Sequence, residues 1–459
     1  MVRLFNLYVP LTLMALALAD ATLLGVAWQV AAAIPGLDEL GARYATPEST
    51  LAIPPLGLLM FYAMGVYRAE AGGPSGVLLA RIAVALLALA GAGALLSLAQ
   101  DATLPSLPRV GAGIFLGLVF TLALRLSLTP RTVVVGRPSR ILVVGAGTRA
   151  ADLDRLGQKG LLERVQVAGF LPLAGEGQAL PDDRTLSTND LPRLCERLGV
   201  RELVVAADGP LPPSVADTLW ACRRRGLRVV DYAAFLERER GQLPADDPDA
   251  PWLLFDDAAE GIRGLDKVGK RAFDLALSLF LLLLTLPVTL VTALLVKLED
   301  GGPVFYAQER VGLDGKTFKV LKFRSMRVDA EADGKARFAQ VGDPRVTRIG
   351  RFIRLVRIDE IPQVLNVLRG EMSFIGPRPE RPSIVADLVR DIPAFALRHQ
   401  VKPGITGWAQ VNYPYGATVE DSLEKLRYDL FYVKNSGFVL DLLILLQTVR
   451  VVVWADGAR

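Results

Sequence analysis

The chain has 459 residues, enough for two to four domains, and 51% of them are hydrophobic. Its 52 basic and 48 acidic residues nearly cancel, which argues against a nucleic-acid partner, because nucleic-acid-binding proteins gather basic residues on one face. One histidine, His399, and two cysteines, Cys195 and Cys222, are too few for a Ser-His-Asp triad, a two-histidine metal site or a cysteine-based zinc site. Any bound metal is therefore expected to have oxygen ligands, which favours Mg²⁺ or Mn²⁺.

Residues 1–130 contain four apolar stretches, each near the roughly 17–25 residues that cross a bilayer as a helix. They are 7–33, 51–67, 77–98 and 110–128. With the N-terminus in the cytoplasm, the short loops place seven arginines inside and two outside, an asymmetry that predicts both ends of this segment to be cytoplasmic. The seven are Arg3, Arg68, Arg81, Arg125, Arg131, Arg137 and Arg140, and the two are Arg43 and Arg109. We therefore predict a multi-pass membrane protein that begins with a four-helix transmembrane bundle.

An acidic residue, Asp20, lies inside the first apolar stretch. A carboxylate at that depth costs roughly 2.5–3.5 kcal/mol on insertion scales. Two interpretations are open: we favour a role in helix packing or snorkelling over a position that lines a functional path.

From Ser139 onward, short β-branched runs alternate with amphipathic segments, which is typical of a parallel α/β domain. The runs are ILVVGAG, VQVAGFL, ELVVAA and LRVVDY. They predict a Rossmann-like unit over about 139–236, within a cytoplasmic domain of residues 131–257. Its Pro- and Asp-rich end, 241–257, is typical of a linker.

The first of these runs ends in a G-x-G-x-x-A fingerprint, Gly145 to Ala150. In dinucleotide sites such a turn presents backbone amides to a pyrophosphate, and an acid after the second strand binds the ribose. The second run here ends in GFLPLAG, where that acid is missing. The pattern favours a regulatory or structural module over a dinucleotide site.

A fifth apolar run extends from Phe273 to Val296, and basic residues flank both of its ends. Pro287, near the middle, predicts a sharp kink. A broken helix over 272–297 that enters one leaflet and returns would keep both flanks in the cytoplasm, with a threonine hydroxyl, Thr285 or Thr289, for a freed backbone carbonyl. We favour this re-entrant helix over a simple fifth span.

The rest of the chain, within residues 258–459, is predicted to form an α+β catalytic domain. Asp314 and Gly315 between two β-rich runs predict a hairpin. A Walker phosphate loop is excluded there, because its first glycine would fall at Arg310. The tail, 436–454, is an apolar stripe interrupted by polar residues, which favours an interfacial helix over a span.

Two adjacent acids, Asp359 and Glu360, follow five arginines that end at Arg357. On a helix the two carboxylates would diverge by about 100°, so one could address a reacting centre while the other binds a metal or orients the first. Pro362 allows a helix to begin near Asp359, which would set both acids at its positive end. The arginines suit phosphate recognition, and the alternative is a solvated ladder of salt bridges.

Four segments of this part resemble a known family. KFRSM, DPRVTRIGRFIR, IDEIPQVLNVLRGEMSFIGPRPERP and HQVKPGITGWAQVN, in a stretch from about Arg263 to Trp454, look like the bacterial sugar transferases, the monotopic phosphoglycosyl transferases. The front and middle domains resemble the large members, which start exopolysaccharide, capsule or O-antigen synthesis on the cytoplasmic face of the bacterial inner membrane. The resemblance implies transfer of hexose-1-phosphate from a UDP-sugar to polyprenyl (undecaprenyl) phosphate, with release of UMP.

The resemblance also implies roles for individual residues. Asp359 is expected to be the nucleophile that carries the phosphosugar covalently, with Glu360 as its partner and Mg²⁺ at the pair. Arg354 is expected to bind phosphate. Further positions implied at the uridine diphosphate pocket or around the site are Pro377, Arg378, Pro379, Lys322, Arg324, Lys402, Gln410 and Asp429. The family's re-entrant helix commonly breaks at Ser-Pro, whereas this chain has Leu286-Pro287.

Several alternatives stay open at this point. Glucose and galactose are the sugars that the resemblance favours, and a homodimer is implied by resemblance alone. The rival enzyme class is a membrane-tethered, NAD-dependent nucleotide-sugar epimerase or dehydratase, although no tyrosine here has the lysine four residues later that such enzymes usually need. A non-catalytic membrane assembly or regulatory protein is a second rival, and it leaves the acid–arginine cluster unexplained.

Overall fold

A computed structural model describes most of the chain, in two compact units, Met1–Gly241 and Gln242–Arg459. The described residues are 2–4, 7–34, 47–67, 75–99, 107–127, 138–162, 164–188, 190–245, 260–328, 343–414, 416 and 418–454. The predicted domain boundaries near 130 and 257, most of the predicted linker and the loop residues Arg43, Arg68, Arg131 and Arg137 lie outside them.

The first unit opens with a small hairpin that the sequence analysis missed, in which β1 (Val2–Leu4) pairs antiparallel with β2 (Leu7–Val9). Four apolar helices follow: α1 (Leu11–Ala33), α2 (Pro47–Ala63), α3 (Ser75–Ala99) and α4 (Leu107–Ser127). Helices α1 and α3 each pack against both α2 and α4. The predicted four-helix bundle is therefore present.

Four segments of the described chain are long and apolar enough to cross a membrane: Leu11–Ala33, Gly76–Leu95, Pro108–Ser127 and Lys267–Asp300. The predicted second span, 51–67, is not among them, because α2 ends at Ala63 and its apolar part, Ala52–Ala63, is too short to cross a bilayer. The chain turns there with Gly65 in the left-handed conformation (φ 76°), which terminates helices. The apolar stretch of the sequence continues past the end of the helix, because the residues of the turn are themselves apolar.

The buried acid of α1 has a partner in α4. Arg125 Nη2 donates to Asp20 Oδ2 at 2.8 Å, and Asp20 is fully buried. Ionisable groups inside apolar bundles pair with one another when they are retained. The contact supports the helix-packing interpretation of Asp20.

A parallel sheet forms the remainder of the first unit. Its strands are β3 (Ser139–Val144), β4 (Val165–Leu171), β5 (Glu202–Val205) and β6 (Arg228–Asp231), in the order β4-β3-β5-β6. Helices α5 (Thr148–Gln158), α6 (Leu191–Leu198), α7 (Pro213–Arg224) and α8 (Tyr232–Arg240) connect them. Two apolar cores lie on the sheet, one containing residues of α5 and α8 and the other residues of α6 and α7. The four predicted strands are thus confirmed, and the central strands β3 and β5 are buried along most of their length, as continuous apolar runs predict.

The second unit begins with the 41-residue helix α9 (Glu260–Asp300), which continues through Pro287. The predicted break at Pro287 does not interrupt the helix, since one proline removes a single backbone donor and a helix can absorb that loss. The hydroxyl of Thr285 donates to the carbonyl of Leu281 within the helix, at 2.7 Å. The bend and the re-entry into one leaflet stay predictions.

Both ends of α9 pack on the second unit, whereas its middle is exposed. Near the start, Asp274 is buried and accepts from Ser373 Oγ at 3.0 Å. Near the end, Val296 packs with Phe323 and Ile353. Between these contacts lie exposed apolar side chains: Leu275, Leu279, Phe280, Leu283, Leu284, Leu286, Val288, Leu290, Val291, Leu294 and Leu295.

Short elements complete the second unit. Strand β7 (Phe305–Val311) pairs antiparallel with β8 (Thr317–Phe323), and β9 (Ser373–Ile375) pairs parallel with β10 (Gly404–Thr406). The helices are α10 (Arg348–Leu355), α11 (Gln363–Arg369), α12 (Pro382–Asp391), α13 (Trp408–Asn412), α14 (Val419–Asn435) and α15 (Phe438–Trp454). The first pair confirms the predicted hairpin, with Asp314 and Gly315 both at positive φ (54° and 75°) in its turn.

The tail is helical as predicted, and α15 buries its polar residues. Asp441, Gln447 and Arg450 are buried, while Val452 is 62% exposed. Polar residues therefore face the protein and apolar residues face outward, the arrangement expected of a helix beside lipid. Its position at a membrane interface stays a prediction.

Candidate active site

The two adjacent acids lie in a single 3₁₀ turn, Ile358–Glu360, between α10 and α11. The regular helix begins at Gln363, four residues later than the sequence suggested, and Pro362 precedes it. Arg357, just before the turn, has a left-handed backbone conformation (φ 59°). A non-glycine residue in that conformation costs about 1–3 kcal/mol and is found where the surroundings enforce it, often at functional sites.

Glu360 is held by two cations. Its Oε1 accepts from Lys322 Nζ at 2.9 Å and from Arg378 Nη2 at 3.1 Å. Burial raises the pKa of Glu360, but the charges of Arg378 and Lys322 outweigh burial and hold that pKa well below its usual range. Burial also lowers the pKa of Lys322, which Glu360 partly restores. Glu360 is thus a fixed, neutralised anion.

Asp359 has a different environment, although it is the next residue in the chain. It is 9% exposed and takes no ion pair in the described part of the chain. Burial, and then the charge of Glu360, raise its pKa, against the opposing charges of Lys322, Arg354 and Arg357. A raised pKa makes a carboxylate more basic and more reactive, and such shifts cluster at functional sites.

The segment that carries Arg378 is fixed by two further arginines. Arg398 Nη2 donates to the carbonyl oxygen of Arg378 at 2.9 Å, and Arg310 Nη1 donates to that of Pro379 at 3.0 Å. Arg398 also pairs with Asp429 at 2.7 Å, and both are buried. Sequence reasoning missed Arg310 and Arg398, because nothing local distinguishes an arginine that binds a distant backbone carbonyl.

The other predicted positions are distributed around this segment. Gln410 Nε2 donates to the carbonyl of Ile405 at 3.1 Å, in strand β10. The backbone of Pro377 accepts from Gly404 N at 2.9 Å. The predicted uridine-pocket element, Pro377 to Pro379, thus lies beside β10, and its Arg378 reaches the acid pair.

Two predicted residues are not at the acid pair. Arg324 pairs with Asp300 at the end of α9. Lys402 Nζ lies 3.6 Å from the position that a Cβ on Gly370 would take, beyond the C-terminal end of α11. Because α11 has seven residues, it separates Lys402 from the acids by about 10 Å or more at 1.5 Å per residue.

The glycine fingerprint of the first unit is filled by the chain's own carboxylates. Asp208 accepts from the backbone amides of Thr148 and Arg149 at 2.6 and 3.0 Å, and Glu176 accepts from the amide of Ala146 at 2.9 Å. A Cβ on Gly147 would come within 2.2 Å of Asp208 Oδ2. These acids occupy the amides that a pyrophosphate would need, which agrees with the favoured structural or regulatory interpretation.

We expect Asp208→Ala to lower the free energy of unfolding of the first unit by about 1 kcal/mol, the usual cost of removing the side-chain acceptor at a helix N-terminus. Burial raises the pKa of Asp208, but the amides of Arg149 and Thr148 outweigh it and lower that pKa below 3.8. The stabilisation is therefore complete above pH 3.8 and lost as the pH falls through the lowered pKa. Thermal unfolding at neutral and acidic pH measures it, with Asp217→Ala, at an exposed position, as the control; equal midpoints for the two variants would contradict it.

Comparison with known proteins places the second unit in a family. The bacterial sugar transferase profile matches residues 265–455. A UDP-N-acetylgalactosamine-undecaprenyl-phosphate N-acetylgalactosaminephosphotransferase of Aeromonas hydrophila is 47% identical over 190 residues, 41% of this chain and 45% of the relative. A UDP-glucose:undecaprenyl-phosphate glucose-1-phosphate transferase of Escherichia coli K12 is 45% identical over 192 residues, 41% of each chain.

A shorter relative is matched along most of its length. The uncharacterized sugar transferase EpsL of Bacillus subtilis is 44% identical over 195 residues, which are 41% of this chain and 90% of the relative. The match to the two longer relatives, by contrast, spans less than half of their length. The residues matched by the family profile contain the acid pair and most of the long helix with the exposed apolar middle. The chain belongs to the bacterial sugar transferase family.

Proposed function

We propose that this protein transfers hexose-1-phosphate from a UDP-sugar to polyprenyl phosphate, through a phosphosugar carried on Asp359, and releases UMP. The observation that carries the proposal is the contrast within the acid pair: Glu360 is neutralised by two cations, while buried Asp359 has a raised pKa and takes no ion pair from the residues that the structure describes. The names of the Aeromonas and Escherichia coli relatives give UDP-N-acetylgalactosamine and UDP-glucose as donors, with undecaprenyl phosphate as the acceptor.

The reaction divides into two displacements at one phosphorus atom. In the first, a carboxylate oxygen of Asp359 bonds to the β-phosphorus of the UDP-sugar, and the bond from that phosphorus to the bridging oxygen breaks. The electron pair leaves with UMP. In the second, a phosphate oxygen of the lipid bonds to the same phosphorus, and the bond to Asp359 breaks, which regenerates the carboxylate. The donor and the acceptor are both anions, and the two steps keep them from reacting while both are bound.

The cations around the acid pair suit such a substrate. Arg378 lies on Glu360 and at the edge of the predicted uridine pocket, where its planar fork of donors matches a phosphate. The charge of Arg354 acts on Asp359, so the same charge would reach a phosphoryl group bound there. These interactions would stabilise charge on the transferring group.

We also propose Mg²⁺ as the metal. Within the described residues no three His, Cys, Asp or Glu side chains group as a metal site. A metal bound at the acid pair would therefore have these two carboxylates as its protein ligands. Mg²⁺ is commonly bound by one or two carboxylates together with water and substrate phosphates, and Asp359 and Glu360 fit that donor set. When bound, Mg²⁺ would neutralise charge on the diphosphate.

A position at a membrane surface is supported by α9 and α15. Both ends of α9 pack on one unit and its exposed middle is apolar, so a re-entrant course leaves both ends on one side of the bilayer. The arginine asymmetry of the sequence, which counts all four apolar helices of the first unit as spans, would put that side in the cytoplasm. We therefore propose that the protein performs the first membrane step of exopolysaccharide, capsule or O-antigen synthesis, at the cytoplasmic face of the inner membrane.

For the parallel sheet of the first unit we propose a Rossmann-like module that does not bind a dinucleotide. Asp208 and Glu176 take the amides of its glycine turn, and the Tyr-x-x-x-Lys pattern is missing from the sequence. Neither observation favours the rival epimerase or dehydratase.

The direct test combines the full-length purified protein, Mg²⁺ and undecaprenyl phosphate with a panel of UDP-sugars. We expect UMP release with one sugar, glucose, galactose or N-acetylgalactosamine, and one lipid diphosphosugar formed per UMP. NAD turnover, or no UMP release with any sugar, would overturn the proposal. Omitting the lipid is the control, because sustained release should then stop.

A further inference from the structure

Two side chains from two helices meet at one backbone carbonyl, that of Ile375 at the end of β9, and a third side chain from another helix joins them. Lys270 of α9 places Nζ 3.2 Å from this oxygen, and the hydroxyl of Tyr432 of α14 lies 3.0 Å from it. Asp441 of α15 joins both, with Oδ2 2.5 Å from Lys270 Nζ and Oδ1 2.8 Å from the hydroxyl of Tyr432. We call these three residues the α9–α14–α15 cluster.

The same helix face holds β9 at a second point. Asp274, one turn after Lys270, accepts from Ser373 Oγ at 3.0 Å and from the amide of Phe374 at 3.1 Å. Residues four apart lie on one face of a helix. One face of α9 therefore hydrogen-bonds to all three residues of this short strand. The strand has one neighbour, β10, so its position depends on these side chains.

The strand leads directly into the element that reaches the acid pair. Ile375 is three residues before Arg378, whose guanidinium donates to Glu360. Gly376, between them, has no room for a side chain, since a Cβ there would come within 2.2 Å of the carbonyl oxygen of Lys402. A displacement of Ile375 would therefore be passed on to Arg378, with Gly376 packed too closely to absorb it.

The cluster packs three helices through buried polar groups, which carry a desolvation penalty that apolar residues would not. Tyr432 and Asp441 are 1% and 2% exposed, and buried charged pairs are often no more stabilising than apolar residues of equal volume. What such a cluster provides is a fixed geometry, because each hydrogen bond has a defined length and direction. Two of its three helices, α9 and α15, carry the exposed apolar faces described above.

We propose that Lys270, Tyr432 and Asp441 are positioning residues that set the placement of Arg378 through Ile375. They thereby tie nucleotide-sugar binding to the packing of the two apolar helices. This inference rests on the proposed function, because it takes Arg378 to bind the UDP-sugar. None of the three residues is assigned contact with substrate.

The test is a double-mutant cycle on UDP-sugar and UMP affinity. Lys270→Met is expected to raise the KM for the UDP-sugar and the Kd for UMP about 10-fold, because a small misplacement caused by a change away from the site can cost on the order of 10²-fold, and to leave the KM for the lipid within about 2-fold. In an Arg378→Met background the same change should have no further effect on UMP affinity, because its route is already removed. Lys267→Met, an exposed lysine on the same helix, is the matched control.

A milder variant guards against misfolding. Tyr432→Phe removes one hydroxyl and keeps the Lys270–Asp441 pair, so it should fold and still weaken UMP binding several-fold, and Lys270→Arg should retain part of the wild-type affinity. Equal losses of UMP affinity in the wild-type and Arg378→Met backgrounds, or wild-type affinity in Tyr432→Phe, would overturn the inference. A wild-type protein that releases no UMP would instead overturn the proposed function, so the two failures are distinguishable.

Discussion

Asp359→Asn is expected to stop turnover and at the same time to make the protein more stable. Removing a nucleophile reduces turnover by on the order of 10³-fold or more, and asparagine cannot form the phosphosugar adduct. The stability gain follows from burial, which raises the pKa of Asp359 together with the charge of Glu360. A raised pKa means that ionisation opposes folding, so stability falls as the pH rises from 3.8 through the raised pKa. Asparagine does not ionise, so we expect the variant to have the higher thermal midpoint at neutral pH.

Three measurements decide this prediction: UMP release, the intact mass of the protein after brief exposure to the UDP-sugar, and the thermal midpoint. The wild type should show a phosphosugar mass increment and the variant none. Glu360→Gln is the informative neighbour, because the pKa of Glu360 is depressed and losing its charge leaves Lys322 and Arg378 uncompensated. Its midpoint should fall while that of Asp359→Asn rises. Normal turnover by Asp359→Asn, or the adduct on another residue, would sink the nucleophile assignment.

Asp429→Ala is expected to destabilise the second unit by about 3–5 kcal/mol, the range for removing one partner of a buried ion pair. The change leaves Arg398 buried without its carboxylate, 2.7 Å away in the wild type. Because Arg398 also binds the carbonyl of Arg378, UDP-sugar binding should weaken as well. Burial raises the pKa of Asp429 against the opposing charge of Arg398. On acidification Asp429 should therefore take up its proton at a higher pH than an ordinary aspartate does.

The double variant Arg398→Met with Asp429→Leu separates stability from positioning. It replaces the pair by apolar groups and should recover most of the stability, but it leaves the Arg378 carbonyl without its donor, so affinity should stay low. Exposed Asp387 and Arg390 form the control pair; breaking it should cost less than about 1 kcal/mol. A loss below that level for Asp429→Ala in thermal unfolding would contradict the prediction.

The sequence determined those features that depend on neighbours along the chain. Asp314 and Gly315 specify their hairpin because both adopt positive φ, a local property of those residue types. The four strands of the parallel sheet were predictable because continuous apolar runs are typical of parallel sheets. The acid pair was located for the same reason, since both acids and the arginines before them are contiguous.

Tertiary structure decided what depends on distant partners. The family resemblance implies different roles for Asp359 and Glu360, but only the approach of Lys322 and Arg378 makes Glu360 a neutralised anion and leaves Asp359 a carboxylate with a raised pKa. Asp208, 60 residues later in the chain, accepts from the amide of Thr148 beside the glycine turn. The polar residues of α15 were read as interruptions of an apolar stripe, whereas they form its buried face. Local pattern fixes which elements form, because propensity and periodicity act over a few residues. The pKa and reactivity of each group depend instead on charges and burial that folding brings together.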